Sequence, residues 1–351
     1  MTADELARLV DDRELVREVS LAGADLAGKT FRDGIFENVD FTGADLHAAG
    51  FARANFITCT LSAANLAQAD LGDASFVQCN LAGATLSGTR LTKTRFVKCN
   101  LARAWFQNAM LSHTVLLECD LGHAVLSGIR IERCSMVKCA TSGIDIGHTD
   151  WHRAALLDAD LREAKIDGAK FFRSTLLGAN FAGRALPNFA MAACALGGSD
   201  FTGCDLTRAD LGQCVLTGAR LVGAILAGAK LGRAILRNAD LTRADLSGAD
   251  LTQAILVDAK APEANFANAN LFQSTATGLI APGANFHAAD LRNADFSHAA
   301  LDRADLGGVI LDRTNFHAIS EQATRMPSRQ GVLPMDQERI TSESWLERAR
   351  V

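Results

Sequence analysis

The chain has 351 residues, of which 48% are hydrophobic, yet it contains no Tyr and only three Trp. Its formal net charge of −5 argues against a strongly basic nucleic-acid binder, so no direct nucleic-acid binding is expected. The N-terminal region is charged and lacks the apolar core of a secretory signal, and no apolar run approaches the ~18 residues of a membrane span. We therefore predict a soluble, cytoplasmic protein without a membrane partner.

Residues 1–20 are predicted to form an N-terminal capping helix followed by a first strand. Thr2 and Glu5 have the spacing of a capping box, in which each side chain bonds the other residue's backbone N–H. The apolar residues that follow at helical spacing are Leu6, Leu9 and Val10. A helix over the first strand would hide an edge that otherwise invites aggregation.

A repeat of five residues occupies residues 21–318. From Leu21 to Phe316, every fifth residue is large and apolar in 56 of 60 cases. A period of five fits neither an α-helix nor a β-strand, whereas it fits a solenoid whose turns stack on one another. A second period of twenty, seen in Phe56, Phe76 and Phe96, predicts four sides per coil. About fifteen coils would span roughly 70 Å at the usual strand spacing.

All nine cysteines occupy the small-residue position of the repeat, which in eight cases lies two residues before a large apolar residue and at Cys139 before Thr141, and five of them recur at intervals of twenty. Such a column suggests either a metal or disulfide ladder or small core fillers in place of Ala. The odd count and the lack of a Cys-x-x-Cys pair favour fillers in a reducing compartment. Neither a catalytic residue nor a metal ligand is predicted. The five in register are Cys59, Cys79, Cys99, Cys119 and Cys139.

The segment from Gly23 to Thr30 matches the phosphate-binding pattern G-x-x-x-x-G-K-[ST]. That pattern requires a strand before it and a helix after it, so that backbone amides face the phosphates. Because Leu21, Leu26 and Phe31 keep the five-residue register through the match, we interpret it as a coincidence. No cofactor is predicted.

A column of basic side chains recurs at intervals of twenty, which places it on one side of successive coils. We call it the basic column: Lys93, His113, Arg133, Arg153 and Arg173. Stacked like charges repel, so the column indicates an anionic partner, although a solvated face neutralised by nearby carboxylates is the alternative. Three further cations are predicted to flank it: Arg90, Arg130 and Lys170.

Aliphatic residues occupy outward positions where most repeats have Asp or Asn. Val215, Ile235 and Ile255 are twenty residues apart, and we call them the short strip; Ile225 is predicted on a neighbouring side. An exposed aliphatic strip usually marks an interface, so it predicts dimerisation or docking of a partner, with local packing as the alternative.

The repeat is expected to end near residue 318. Residues 319–334 are predicted to form a linker, and residues 335–351 a second helix that caps the last coil or packs on another subunit. Its apolar anchors, Trp345 and Leu346, are included in the predicted apolar interface.

The motif small–Asp/Asn–Leu/Phe–x–x, regular in ADLTRADLSGADLTQA from Ala239 to Ala254, resembles the pentapeptide repeat superfamily. The resemblance implies an all-β solenoid, namely a right-handed four-sided parallel β-helix, here with short N- and C-terminal capping helices. Within the family, the small residue before the Asp or Asn points inward. The N-terminal helix and first repeats also resemble segments associated with type VI secretion.

The predicted function is a non-enzymatic scaffold or adaptor for a protein partner in the bacterial cytoplasm, with a possible homodimer and a possible link to a secretion system. The alternative, which the resemblance implies, is a DNA mimic that binds DNA gyrase or topoisomerase and modulates inhibitor sensitivity. Residues 51–250 carry a charge of +4 (21 basic and 17 acidic), which fits an acidic mimic poorly. A secreted effector is a third, weaker possibility.

Overall fold

A computed structural model describes residues 1–326 and 328–334, which divide into two units, residues 1–180 and the residues from 181 onward. The first unit begins with helix α1, Ala3–Asp11, in which Thr2 and Glu5 form the predicted capping box. Leu6 and Val10 are buried, and α1 packs against the first strand, Leu15–Arg17. The described part of the second unit has no helix.

The first unit contains short strands that recur along the chain. In order, they are β1 Leu15–Arg17, β2 Ile35–Glu37, β3 Asn55–Ile57, β4 Ser75–Val77, β5 Arg95–Val97, β6 Leu111–Ser112, β7 Val115–Leu117, β8 Arg130–Glu132, β9 Ser135–Val137, β10 Asp150–His152, β11 Ala155–Leu157 and β12 Lys170–Phe172. One parallel sheet has the order β1-β2-β3-β4-β5-β7-β9-β11, and a second has the order β12-β10-β8-β6.

The pairing register explains both periods in the sequence. Each strand pairs in parallel with residues twenty further along, as Phe56 does with Phe76. Single bridges at the same spacing occupy the other sides of a coil, such as Ser20 with Asp40 and Asp25 with Asp45. Four pairing positions per twenty residues define four sides, which confirms the predicted parallel β-solenoid. In the second unit, the pairing of the described residues takes the form of such bridges.

The turns depend on the residue that lies two positions after each large apolar residue. These residues adopt left-handed φ angles even when they are not glycine, for example 54° at Ala48. The backbone N–H of Ala48 donates to the carbonyl of Ala67 at 2.8 Å. This hydrogen bond between coils offsets the strain of the left-handed backbone. The side chain at this position points outward, which makes it the natural site for surface charge.

Aspartates before the large residues are structural. The carboxylate of Asp205 accepts hydrogen bonds from the hydroxyl and the backbone N–H of Thr207, at 2.5 and 2.9 Å. These bonds lower the pKa of Asp205, because they stabilise its charged form. Such two-residue turns close many corners of the solenoid.

The structure extends the repeat beyond the end that the sequence predicts. Pairing at twenty-residue spacing continues to Ser320 and Arg325, beyond the predicted end at 318 and into the predicted linker. Residues 335–351, the predicted C-terminal helix, lie outside the described residues. The segment from Gly23 to Thr30 forms turns and the bridge from Thr30 to Gly50, not the strand, loop and helix that hold a phosphate.

Candidate interaction surfaces

The first four residues of the basic column occupy the turns that lead into strands β5, β7, β9 and β11, and Arg173 lies at the equivalent turn one coil further on. All five of its residues are exposed, and their φ angles lie between 51° and 61°. The N–H of Arg133 donates to the carbonyl of His152, and that of Arg153 to the carbonyl of Phe172. Because the register is parallel, the column forms a line of cations one coil apart, about 4.8 Å per step.

The same column carries alternating charges in the coils before it becomes basic. Arg13, Asp33, Arg53 and Asp73 precede Lys93 at intervals of twenty. Arg53 donates two hydrogen bonds to Asp33, both at 2.6 Å. The hydrogen bond from Arg53 lowers the pKa of Asp33. No carboxylate occupies the column between Lys93 and Arg173. The alternation of charges that neutralises the earlier coils therefore ends at Lys93.

The three flanking cations are less available to an anionic partner than the sequence indicated, because carboxylates lie beside them. Arg90 pairs with Asp70 at 3.3 Å, and Arg130 with Glu132 at 3.4 Å. Asp150 stands in register between Arg130 and Lys170. The solvated, partly neutralised face that was the alternative therefore describes these flanking positions.

The basic column itself is different from its flanks. Among the described residues, no ion pair involves Lys93, Arg133 or Arg153, whose side chains are exposed. The guanidinium of Arg173 lies over the ring of Phe172, 5.1 Å from its centroid, which fixes its position without neutralising its charge. These four cations are the groups that can meet an anionic partner.

The short strip lies in the second unit as a continuous column. Val215 bridges Ile235, which bridges Ile255, and Val215 is 38% exposed. Ile225 is exposed as well, but it stands on another side, between Asp205 and Asp245. It therefore does not extend the strip. The other two predicted members, Trp345 and Leu346, lie outside the described residues.

A longer aliphatic surface, which the sequence reasoning missed, lies in the first unit. It occupies the position just after the large inward residue on the eight-stranded sheet, and we call it the aliphatic column. The signal was present as apolar pairs, such as Phe76-Val77, that recur every twenty residues. Two adjacent apolar residues are readily interpreted as part of the core, although neighbouring residues of a strand face opposite sides of the sheet. Its members on the sheet are Ile57, Val77, Val97, Leu117, Val137 and Leu157, and Leu177 continues the column in a turn one coil further on.

The nine cysteines are free and buried. In the column of five, the thiol of Cys79 lies 3.4 Å from the carbonyl oxygen of Phe56, and the thiol of Cys99 lies 3.4 Å from that of Phe76. This is the geometry of small side chains that fill the tube. Within the described ranges, no group of three or more His, Cys, Asp or Glu side chains is arranged to hold a metal ion.

Buried thiols make the second unit sensitive to alkali. Burial raises the pKa of Cys204 to about 11 and that of Cys214 to about 12, above the ~8.5 of an unfolded cysteine. The folded state thus favours the protonated thiol. The resulting stability is fully present below about pH 8.5 and is lost as pH rises through 11 to 12, by roughly 3–5 kcal/mol per thiol.

Urea unfolding between pH 7 and pH 11 tests this expectation. The wild-type protein should lose stability more steeply with rising pH than the Cys204→Ala/Cys214→Ala variant. If the two proteins lose stability in parallel, the thiols do not cause the alkaline loss.

The fold and repeat together define a parallel β-solenoid built from five-residue units. Pentapeptide repeat models match residues 17–49, 24–62, 199–238, 219–258 and 282–317, and a pentapeptide repeat region model matches residues 49–126. These matches cover more than half of the chain, so it belongs to the pentapeptide repeat family, whose fold is a right-handed quadrilateral β-helix. A search of curated protein sequences gives no significant match.

Several solved structures are similar to this chain. HetL, a pentapeptide repeat protein involved in heterocyst differentiation regulation in the cyanobacterium Nostoc, is 27% identical over 74% of this chain and 96% of its own, with a TM-score of 0.20. Full-length QnrB1, a plasmid-mediated fluoroquinolone resistance protein, is 16% identical over 95% and 99%, with a TM-score of 0.17. Rfr23 from the cyanobacterium Cyanothece is 21% identical over 42% and 91%, with a TM-score of 0.22.

None of the helices that the structure describes is both long enough and apolar enough to span a membrane.

Proposed function

We propose that this protein is a non-enzymatic scaffold whose basic column binds an acidic surface of a protein partner. The single observation that carries the proposal is the change along one column, from alternating charges at Arg13, Asp33, Arg53 and Asp73 to a stretch without a carboxylate from Lys93 to Arg173, in which four of the five residues are Lys or Arg. A column that was only a solvated face could keep the alternating pattern, which avoids repulsion between stacked charges.

The chemistry of the column fits a partner with regularly spaced carboxylates. Arg side chains bind carboxylates in a bidentate manner, and the rigid backbone of the solenoid holds them at a fixed spacing. Such exposed charges contribute more to orientation and association rate than to raw affinity, and salt screens them. The short strip in the second unit is a second proposed docking surface, where an apolar partner segment covers Val215, Ile235 and Ile255.

Charge reversal on the column tests the proposal. Tagged wild-type protein should retain an acidic partner from an extract of its source cells at low salt and release it as salt rises. The Arg133→Glu/Arg153→Glu variant should lose that partner. Arg208→Glu/Arg243→Glu is a matched control, because both residues are exposed arginines with φ near 55° at the equivalent turn position. Equal retention by both variants would contradict the proposed role of the column.

The DNA-mimic alternative predicts a different result. A mimic of duplex DNA needs an anionic surface, which the basic column opposes. A gyrase supercoiling assay titrated with the protein separates the two functions: inhibition that survives Arg133→Glu/Arg153→Glu would favour the mimic. Recovery of a secretion-system component with the wild-type protein, and not with that variant, would support the adaptor role in secretion.

A further inference from the structure

The aliphatic column is a continuous apolar surface on a regular sheet. Parallel pairing places Val97 beside Leu117, Leu117 beside Val137 and Val137 beside Leu157. At about 4.8 Å per strand, the stretch of six strands from Ile57 to Leu157 is about 24 Å long. Its first and last members, Ile57 and Leu177, are 38% and 44% exposed. Soluble monomers rarely expose an apolar surface of this continuity without a partner.

A column of charges runs along one rim of this surface, one residue beyond the aliphatic column. We call it the charged column: Lys98, Glu118, Lys138 and Asp158, all exposed. Its sign alternates from coil to coil, and Lys98 lies 3.8 Å from Glu118. Read in reverse, the order becomes acidic, basic, acidic, basic. The charged column is therefore complementary to a reversed copy of itself.

We propose that the aliphatic column is a homodimer interface, in which a second copy of this chain packs antiparallel across it. The two-fold axis is perpendicular to the solenoid axis and passes between the coils of Leu117 and Val137. Leu117 then lies over Val137 of the second copy, and Val97 lies over its Leu157. The outer pair is Val77 with Leu177. Every contact occurs twice, as in an isologous interface.

The same axis pairs the rim charges with opposite signs. Glu118 lies opposite Lys138 of the second copy, and Lys98 lies opposite its Asp158. Four ion pairs form along the rim, two of each kind. Rim pairs contribute modestly to affinity but fix the register and exclude wrong arrangements, while burial of the aliphatic side chains supplies most of the stability.

Other arrangements of the same surface conflict with the charges. A shift by one coil would place Lys98 opposite Lys138 of the second copy and Glu118 opposite itself. A parallel dimer, with the axis along the solenoid, would bring the charged column over the basic column of the second copy, where Lys98 meets Lys93 and Lys138 meets Arg133. On the other rim, the antiparallel register brings Lys93 opposite Arg153 of the second copy and Asp73 opposite its Arg173, which offset each other. The four ion pairs of the charged column therefore select the register between Leu117 and Val137.

Molar mass in solution tests the apolar contact. By light scattering coupled to size exclusion, the wild-type protein should have the mass of a dimer at micromolar concentration. Leu117→Asp/Val137→Asp should be a monomer with an unchanged circular dichroism spectrum, since both side chains lie on the outer surface. Ile235→Asp, a matched aliphatic-to-acid change in the short strip, should remain a dimer. A monomeric wild-type protein, or a dimer that only Ile235→Asp dissociates, would overturn the proposal.

A charge swap tests the register and leaves the aliphatic surface intact. Glu118→Lys should raise the dimer dissociation constant about tenfold or more, because it faces Lys138 of the second copy. Glu118→Lys/Lys138→Glu should restore association, since the signs are exchanged on both sides. Failure of the double variant to restore it, with both variants folded, would exclude the antiparallel register.

The self-association and the partner binding are distinguishable. Arg133 and Arg153 lie in the turns between the second sheet and the first, and Leu117→Asp/Val137→Asp leaves both arginines in place. That variant should lose the dimer and keep the acidic partner, which would separate the two surfaces.

Discussion

Phe76→Ala is expected to lower the free energy of unfolding of the first unit by about 3–5 kcal/mol. The Phe76 ring is fully buried. It stacks on Phe56, with centroids 4.5 Å apart, and on Phe96, with centroids 4.9 Å apart. Removing it opens a cavity between two rings. The backbone hydrogen bonds between coils hold these rings at a fixed spacing, so the site cannot collapse to fill the space. Equilibrium urea unfolding measures the change.

The matched control is Phe172→Ala, because the same side chain is removed from the outer surface. Phe172 is 40% exposed and lies against Arg173. Its loss should change the free energy of unfolding by about 1 kcal/mol or less. Equal destabilisation by Phe76→Ala and Phe172→Ala would contradict the assignment of the tube interior as the main source of stability.

Leu6→Asp is the second substitution with a large expected effect. Leu6 is fully buried where α1 packs against β1, and a carboxylate there would lose both its hydration and the apolar contact. The expected cost is about 3 kcal/mol or more. A nine-residue helix is too short to persist without its tertiary contacts. The helix should detach and leave β1, the outermost strand of its sheet, uncovered.

The consequence is aggregation as well as lower stability, because an uncovered strand edge pairs with other chains. Light scattering during incubation at 37 °C should rise for Leu6→Asp and stay flat for the wild-type protein. Arg8→Asp introduces the same charge on the exposed side of α1 and should cost only about 1 kcal/mol. A Leu6→Asp protein that stays dispersed would show that α1 does not protect the edge.

The fold could be predicted because each repeat meets the same neighbours. An inward Phe or Leu at every fifth position, such as Phe76 or Leu231, has one environment, set by the coils before and after it. The five-residue register of the sequence therefore determined which residues lie next to each other in neighbouring coils. Aspartates such as Asp205 could also be assigned to turns, since their bonding partner lies two residues away.

The surface was harder to predict, because its properties depend on which side chains reach one another. Arg90 and Arg130 were predicted to flank the basic column, either facing an anionic partner or neutralised by nearby carboxylates, and the structure pairs them with Asp70 and Glu132. Ile225 was predicted on a side next to the short strip, but its coil neighbours are Asp205 and Asp245, so it does not enlarge that apolar surface. Spacing in sequence identifies a column; it does not show which side chains bend toward each other.

The sequence by itself determined the solenoid, its four sides, the capping box and the inward thiols, because each follows from a contact that repeats at five or twenty residues. Only the tertiary structure decided which outward columns are neutralised and which apolar residues remain exposed. Leu117 illustrates the difference. Its neighbour Leu116 is 1% exposed, whereas Leu117 remains half-buried on the outer surface. The reason is that a strand turns successive side chains to opposite sides. Which of the two leucines faces the core becomes visible only when the coils stack.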